Sequence, residues 1–308
     1  METKVSRERV TFNNNNLEIV GNLFFPENFD PSVKYRAIVC VHPGGGVKEQ
    51  TSGPYAKRLA GRGFIALAYD ASHQGESEGY PRYLEDPSQR VEDVKCAVDF
   101  LTVLPYVDTN RIGAMGICAG AGYAVCATIT DRRIKAVATV SMVDIGTVFR
   151  ETWNRDAGVE KQLELLEEVA QQRTAEANGA EPKLVHYVPE KDEINESTHP
   201  EMVEAHYLYR TERGQHPNSV NLFLFSSNGK ILNFDCFAFA DSYLTQPVLT
   251  IVGDKASSIH HSERLLSLAQ GKKELYRVED AIHFDLYDKP EYMKIATDKM
   301  EEFFKHNL

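Results

Sequence analysis

Hydrophobic and polar positions alternate at the start of the chain. Two such stretches, residues 10–12 and 17–25, flank the run Asn13-Asn14-Asn15-Asn16, which favours a tight turn, so the pattern predicts an antiparallel hairpin. The pattern then becomes continuous: Ala37-Ile38-Val39-Cys40-Val41 is apolar throughout, as expected of a strand buried on both faces of a parallel sheet. A short helix near residues 54–60, stopped by Gly61 and Gly63, leads into a second apolar strand at 64–69 and completes a βαβ unit. Asp86-Pro87-Ser88-Gln89 supplies an N-cap acid, a proline for the first helical position and a glutamine at the capping-box position. The helix that follows places Val91, Val94, Val98 and Leu101 on one face. A strand at 111–115, a small-residue helix at 119–129 and a strand at 134–140 continue the alternation, which implies parallel strands joined by right-handed crossovers.

From about residue 145 to 245 this rhythm breaks. A charged helix (159–175), polar turns and the aromatic stretch Leu222-Phe223-Leu224-Phe225 succeed one another, and the segment reads as a cap inserted into the fold. The rhythm resumes with a strand at 248–252, a helix at 261–269, a strand at 275–278 and a closing amphipathic helix over 290–304. The expected organisation is one α/β domain over residues 1–308, with the cap as an insertion.

Composition narrows the function classes. At 308 residues, 42% hydrophobic and 26% charged, the chain can bury a full core and is neither disordered nor collagenous; it shows no internal repeat. The net charge of -11, without a Lys/Arg cluster, would repel a phosphate backbone, so nucleic acid is not an expected partner. Residues 1–10 are charged and resemble no leader, and no run of ~20 apolar residues occurs. The expectation is a soluble cytoplasmic protein without membrane contact. Its oligomeric state is left open, a homodimer included. Five cysteines (Cys40, Cys96, Cys118, Cys126, Cys236), odd in number and without paired spacing, argue against a disulfide framework and a zinc site. No metal or other cofactor is expected.

The sharpest local feature is Gly116-Ile117-Cys118-Ala119-Gly120, between an expected strand and an expected helix. It matches the nucleophile-elbow pattern with cysteine in place of serine. The two glycines have a steric reason, because side chains on either side of so tight a turn would collide. Five cysteines and 20 glycines supply about 0.02 such patterns by chance, before the strand and helix context is required. A thiol at a helix N-terminus faces the positive end of the dipole, which favours thiolate. The other four cysteines read as packing residues.

Acyl chemistry also needs donors for a developing oxyanion. The Ala119 N–H is the first, and the loop His42-Pro43-Gly44-Gly45-Gly46-Val47-Lys48-Glu49 offers Gly44, then Gly45, as the second. A phosphate cradle is disfavoured because that loop lacks both a Gly-Lys-Ser/Thr ending and dinucleotide glycine spacing. Of ten histidines, His283 alone follows the last expected strand and precedes the closing helix, the position of a general base. Asp254 is the only carboxylate in Gly253-Asp254-Lys255-Ala256-Ser257-Ser258 and is the first candidate for the acid; Asp144 is the second. A Cys-His dyad without an acid is the third arrangement, since a thiol ionises far more readily than an alcohol. Asp70 to Ser77 read as a loop-ordering turn near the site, with His73 outside the chemistry.

Taken together, His42 to Gln50, Asp70 to Ser77, Met115 to Gly120 and Ala281 to Tyr287 resemble the dienelactone-hydrolase-like α/β-hydrolases, fungal polyketide transferases and thiohydrolases among them. The resemblance spans nearly the whole chain. It implies an α/β-hydrolase fold with a mostly parallel eight-stranded sheet flanked by helices, and a cysteine-dependent hydrolase or acyltransferase acting on an ester or a carrier-type thioester. In similar sequences the acid follows an alanine in the loop after the seventh strand, and here that position holds Ser257. The cap aromatics Trp153, Phe223, Phe225, Phe234, Phe237 and Phe239 suggest an apolar acyl chain. The alternative from another class is a catalytically silent binding protein that uses the cleft between core and cap.

Overall fold

The computed structural model describes residues 5–308. Residues 1–4, part of the charged N-terminal segment considered above, lie outside the described residues. The hairpin forms as expected: β1 (Ser6–Asn14) pairs antiparallel with β2 (Leu17–Phe25) around a turn in which Asn15 takes φ 52°, a left-handed conformation that asparagine tolerates. β3 (Tyr35–Val41), α1 (Ser52–Ala60) and β4 (Ile65–Tyr69) make the first βαβ unit, and residues 37–41 and 65–69 are fully buried. α2 (Pro87–Thr102) starts at Asp86, whose carboxylate accepts from the Ser88 and Gln89 N–H groups. Gln89 does not close a capping box; its amide reaches the Ser72 hydroxyl instead.

β5 (Val107–Ile117), α3 (Ala119–Thr130) and β6 (Ile134–Val140) follow. The chain then leaves the sheet through α4 (Ile145–Glu151), α5 (Val159–Ala177), the short antiparallel pair β7 (Leu184–His186) and β8 (Leu222–Leu224) with α6 (Pro200–Tyr209) between them, α7 (Asn228–Leu232) and α8 (Ala240–Tyr243). It returns through β9 (Val248–Gly253), α9 (Ile259–Leu268), β10 (Lys273–Val278), α10 (Asp285–Asp288) and α11 (Pro290–Asn307).

The eight long strands form one sheet in the order β1-β2-β4-β3-β5-β6-β9-β10. The β1–β2 and β2–β4 pairings are antiparallel and every other pairing in this sheet is parallel. The α/β fold with a mostly parallel sheet is therefore as expected. Its order has a functional consequence. From β3 the chain steps to β4 on one side and then crosses to β5 on the other, so the carboxyl ends of β3 and β5 bracket a point where the connections diverge, which is where open α/β sheets place their sites. In that pairing Val41 lies opposite Gly116, which sets the loop after β3 beside the turn after β5. Among the described residues no helix is long and apolar enough to cross a membrane.

Candidate active site

Cys118 is the hinge between β5 and α3. It sits at φ 55°, ψ -125°, a conformation strained for any residue with a Cβ and held here by its surroundings. Its N–H donates to the Val140 carbonyl, and its own carbonyl accepts from Ala121 and Val143. The flanking glycines are required by contact. A Cβ on Gly116 would lie 2.2 Å from the Gly120 carbonyl oxygen, and one on Gly120 would lie 2.4 Å from that of His42. The elbow thus packs its own two ends together and lifts the thiol toward an apolar cavity of about 90 Å³.

The sheet core and the segment between β6 and β9 share the cavity wall. Pro43, Gly44, Ala119, Phe284 and Tyr287 come from the core side; Phe149, Trp153, Tyr187, Met202 and Tyr209 come from the segment between β6 and β9. None of the residues lining it is charged. Of the six cap aromatics singled out in the sequence, only Trp153 reaches the wall. Phe223 packs behind it against Phe149 and Tyr187, and Phe239 is exposed.

Gly44 takes the place expected of a second oxyanion donor. It lines the cavity within 3.8 Å of the Ala119 Cβ, measured from where its own Cβ would be, and its N–H makes no hydrogen bond among the described residues. Gly45, at φ 68°, turns beneath the Tyr187 ring and does not line the cavity. The loop is braced from behind. Buried Arg90 donates to the His42 carbonyl at 2.8 Å and pairs with buried Glu85, whose two carboxylate oxygens accept from the Tyr123 and Tyr187 hydroxyls at 2.6 Å each. His42 itself is structural, since its Nε2 accepts from the Ala71 N–H. The Asp70–Ser77 turn has the ordering function expected of it: Asp70 accepts from the Lys48 and Glu76 N–H groups and from the Lys48 ammonium, and His73 does not line the cavity.

His283 lies after β10, as expected, and is fully buried. Its carbonyl accepts from the Ser141 hydroxyl. Its Nδ1 is 2.7 Å from the Ser258 Oγ, and its Nε2 is 2.8 Å from the Tyr287 Oη. Trp153 crosses over the ring edge to face at 5.4 Å. Among the described residues no hydrogen bond joins His283 to Cys118 directly. Tyr287, whose hydroxyl bonds the imidazole, lines the same cavity as Cys118 and pulls the thiol pKa down.

The structure does not bring Asp254 to the imidazole. Asp254 lies exposed just past β9, and the chain then turns so that Ser258, four residues on, fills the position beside Nδ1. Asp144 is buried but occupied, accepting from Thr147 at the start of α4 and from the Cys236 N–H. The carboxylate near the site is Glu201, from α6. It accepts from the Ser257 N–H and hydroxyl, and burial raises its pKa.

Protonation also departs from expectation. Burial pushes the Cys118 thiol up to about 11, against the Tyr287 hydroxyl and the Ala119 N–H, which pull it down. Burial likewise drives the His283 imidazole down to about 3. Burial thus favours a neutral thiol beside a neutral imidazole.

Ser258, Tyr287, Glu201 and Tyr187 are the site residues that pattern reading did not single out. Tyr287 alone left a local signal: four residues after a loop histidine, at the opening of a helical turn, it falls on the same face.

Comparison with known proteins identifies the family. The model of the dienelactone hydrolase family matches residues 21–142, which include both the Gly44 loop and the elbow. The chain is 42% identical to the uncharacterised protein YcjY of Escherichia coli over 97% of this chain and 99% of that one. Fungal relatives include the polyketide transferase claH of Penicillium crustosum, 27% identical over 98% of this chain and 97% of that one, and the thiohydrolase aneE of Aspergillus aculeatus, 31% identical over 55% and 51%. The crystal structure of the hypothetical protein PA2218 from Pseudomonas aeruginosa superposes with a TM-score of 0.91 at 35% identity, covering 99% of this chain and 94% of that one. By sequence, by sheet topology and by the elbow that both place at the edge of the sheet, the chain belongs to the dienelactone hydrolase family.

Proposed function

We propose that the protein transfers or hydrolyses a short apolar acyl group, presented as an ester or thioester, through a covalent acyl intermediate on Cys118. The observation that carries this reading is the Cys118 side chain, held at a strained elbow and opening onto an uncharged cavity with the Ala119 and Gly44 amides beside it. His283 acts as the base, with Ser258 holding its Nδ1–H; Asp254 is not required. The two amides hold the oxyanion, a term worth about 3–4 kcal/mol per donor in comparable acyl-transfer sites. Water or an alcohol then releases the acyl group, and only that second nucleophile separates hydrolysis from transfer. The fungal transferase and thiohydrolase relatives are consistent with either outcome.

Cavity size bears on the substrate. A cavity of roughly 150 Å³ accommodates benzene, and the space here is about 90 Å³. With the cap as described, a chain of two to four carbons fits and a longer one requires the cap to move. The test is a series of acyl thioesters from acetyl to dodecanoyl, assayed on the wild type and on Cys118→Ala. Turnover that peaks at short chains and is abolished in Cys118→Ala supports the proposal. Ligand binding without any Cys118-dependent turnover supports the silent binding protein instead.

A further inference from the structure

We propose that the Tyr287 hydroxyl carries the proton between the Cys118 thiol and the His283 imidazole, so that the catalytic unit is Cys-Tyr-His with Ser258 behind it. This rests on the cysteine-nucleophile reading above. The geometry is specific. The imidazole Nε2 is 2.8 Å from the phenol oxygen and makes no hydrogen bond to Cys118 among the described residues. His283 is absent from the cavity wall, whereas Cys118 and Tyr287 both line it. The phenol is thus the group that shares the cavity wall with the thiol and also bonds the imidazole.

The phenol is also fixed in place. Tyr287 is 1% exposed, its ring packs on Phe284 at 4.8 Å and on His283 at 5.4 Å, and the neighbouring Leu286 carbonyl is held by the Tyr55 hydroxyl at 2.8 Å. Directionality follows from donor counting. A neutral imidazole carries one proton, and attack requires it at Nδ1, where it donates to the Ser258 oxygen. Nε2 then accepts from the phenol O–H, which leaves the phenol oxygen free to accept from the thiol.

Sγ forms a bond to the acyl carbon, and the carbonyl π pair moves to oxygen. The S–H bond breaks as its proton passes to the Tyr287 oxygen, while the original Tyr287 proton passes to His283 Nε2. Tyrosine ends neutral and histidine ends as imidazolium, paired with the oxyanion. On collapse the carbon–leaving group bond breaks, and the imidazolium returns its proton through the phenol to the departing oxygen or sulfur. Burial raises the phenol pKa well above its ordinary value, so a free phenolate is not an intermediate and the two transfers are concerted.

The test is the single-turnover rate of Cys118 acylation by a short acyl thioester in the wild type, Tyr287→Phe, His283→Ala and Cys118→Ala. A relay predicts that Tyr287→Phe slows acylation by about 100-fold or more, with KM changed less than about threefold. It also predicts that fluorotyrosines incorporated at 287 retain activity at a rate that varies with phenol acidity. Acylation by Tyr287→Phe within about threefold of wild type, with Cys118→Ala inactive, overturns the relay and leaves the nucleophile reading intact. Full turnover by Cys118→Ala overturns the nucleophile reading itself. Should Tyr287→Phe fail to fold, the fluorotyrosine series decides alone, a flat dependence on phenol acidity overturning the relay.

Discussion

Raising the pH is the simplest perturbation of the Cys118 thiol, and the structure sets the size of the response. With the thiol pushed up to about 11 by burial, about one molecule in ten thousand carries thiolate at pH 7. A free cysteine of pKa ~8.5 carries about 300-fold more. Alkylation by iodoacetamide proceeds through the thiolate, so its rate at Cys118 should climb about tenfold per pH unit from 7 to 10. A helix-activated thiolate with a pKa near 7 would instead gain only about twofold over that range. The assay is peptide-resolved mass spectrometry of alkylated Cys118 under excess reagent from pH 6 to 10. Because no hydrogen bond joins the imidazole to the sulfur among the described residues, His283→Ala should leave the profile within about threefold of wild type, whereas breaking a thiolate–imidazolium pair would displace it by units. A plateau below pH 8 would refute the reasoning, because it would mean that the dipole and the histidine, rather than desolvation, set the charge on sulfur.

Three further outcomes follow from the same geometry. Ser258→Ala leaves the buried Nδ1–H of His283 without its partner, a cost of about 1–3 kcal/mol, and should lower kcat by about 5- to 150-fold with little change in KM in steady-state assays; unchanged kcat would remove Ser258 from the site. Arg90→Met strands the Glu85 carboxylate in the interior and should cost about 3–5 kcal/mol in urea unfolding, part of it recovered in the Arg90→Met/Glu85→Gln double variant. His261, buried and driven down to about 3, has a folded pKa below its unfolded value, so its contribution is complete above pH 6.5 and is lost as pH falls toward 3. Wild type should therefore lose about 1.4 kcal/mol more per pH unit between 6 and 4 than His261→Phe, and parallel urea midpoints for the two proteins over that range would contradict the assignment.

What could be read from the chain is what local physics decides. The elbow was legible because its glycines answer a steric demand within five residues, and the structure shows the collisions they avoid. The start of α2 was legible because Asp86, Pro87 and the helix ends obey capping rules that need no partner elsewhere. His283 was found through chain order, since the fold places the last loop at the sheet edge. Other features depended on distance. Ser258 replaces an acid only because the loop after β9 turns once more before α9, and nothing in Gly253-Asp254-Lys255-Ala256-Ser257-Ser258 announces that turn. Tyr187 and Tyr209 belong to an irregular segment whose side chains find the cavity through tertiary packing alone, while Phe239, an aromatic of the same segment, is exposed. The burial of the thiol depends on distance for a related reason. The helix dipole is visible in sequence, whereas the cap that desolvates the sulfur comes from residues far along the chain.

Intact-mass analysis of the protein quenched during turnover of a short acyl thioester decides whether Cys118 is the nucleophile. The expected result is a gain of one acyl group that maps to Cys118, appears before product release and is absent from Cys118→Ala. Label on any other residue, or undiminished turnover by Cys118→Ala with no adduct, would contradict it.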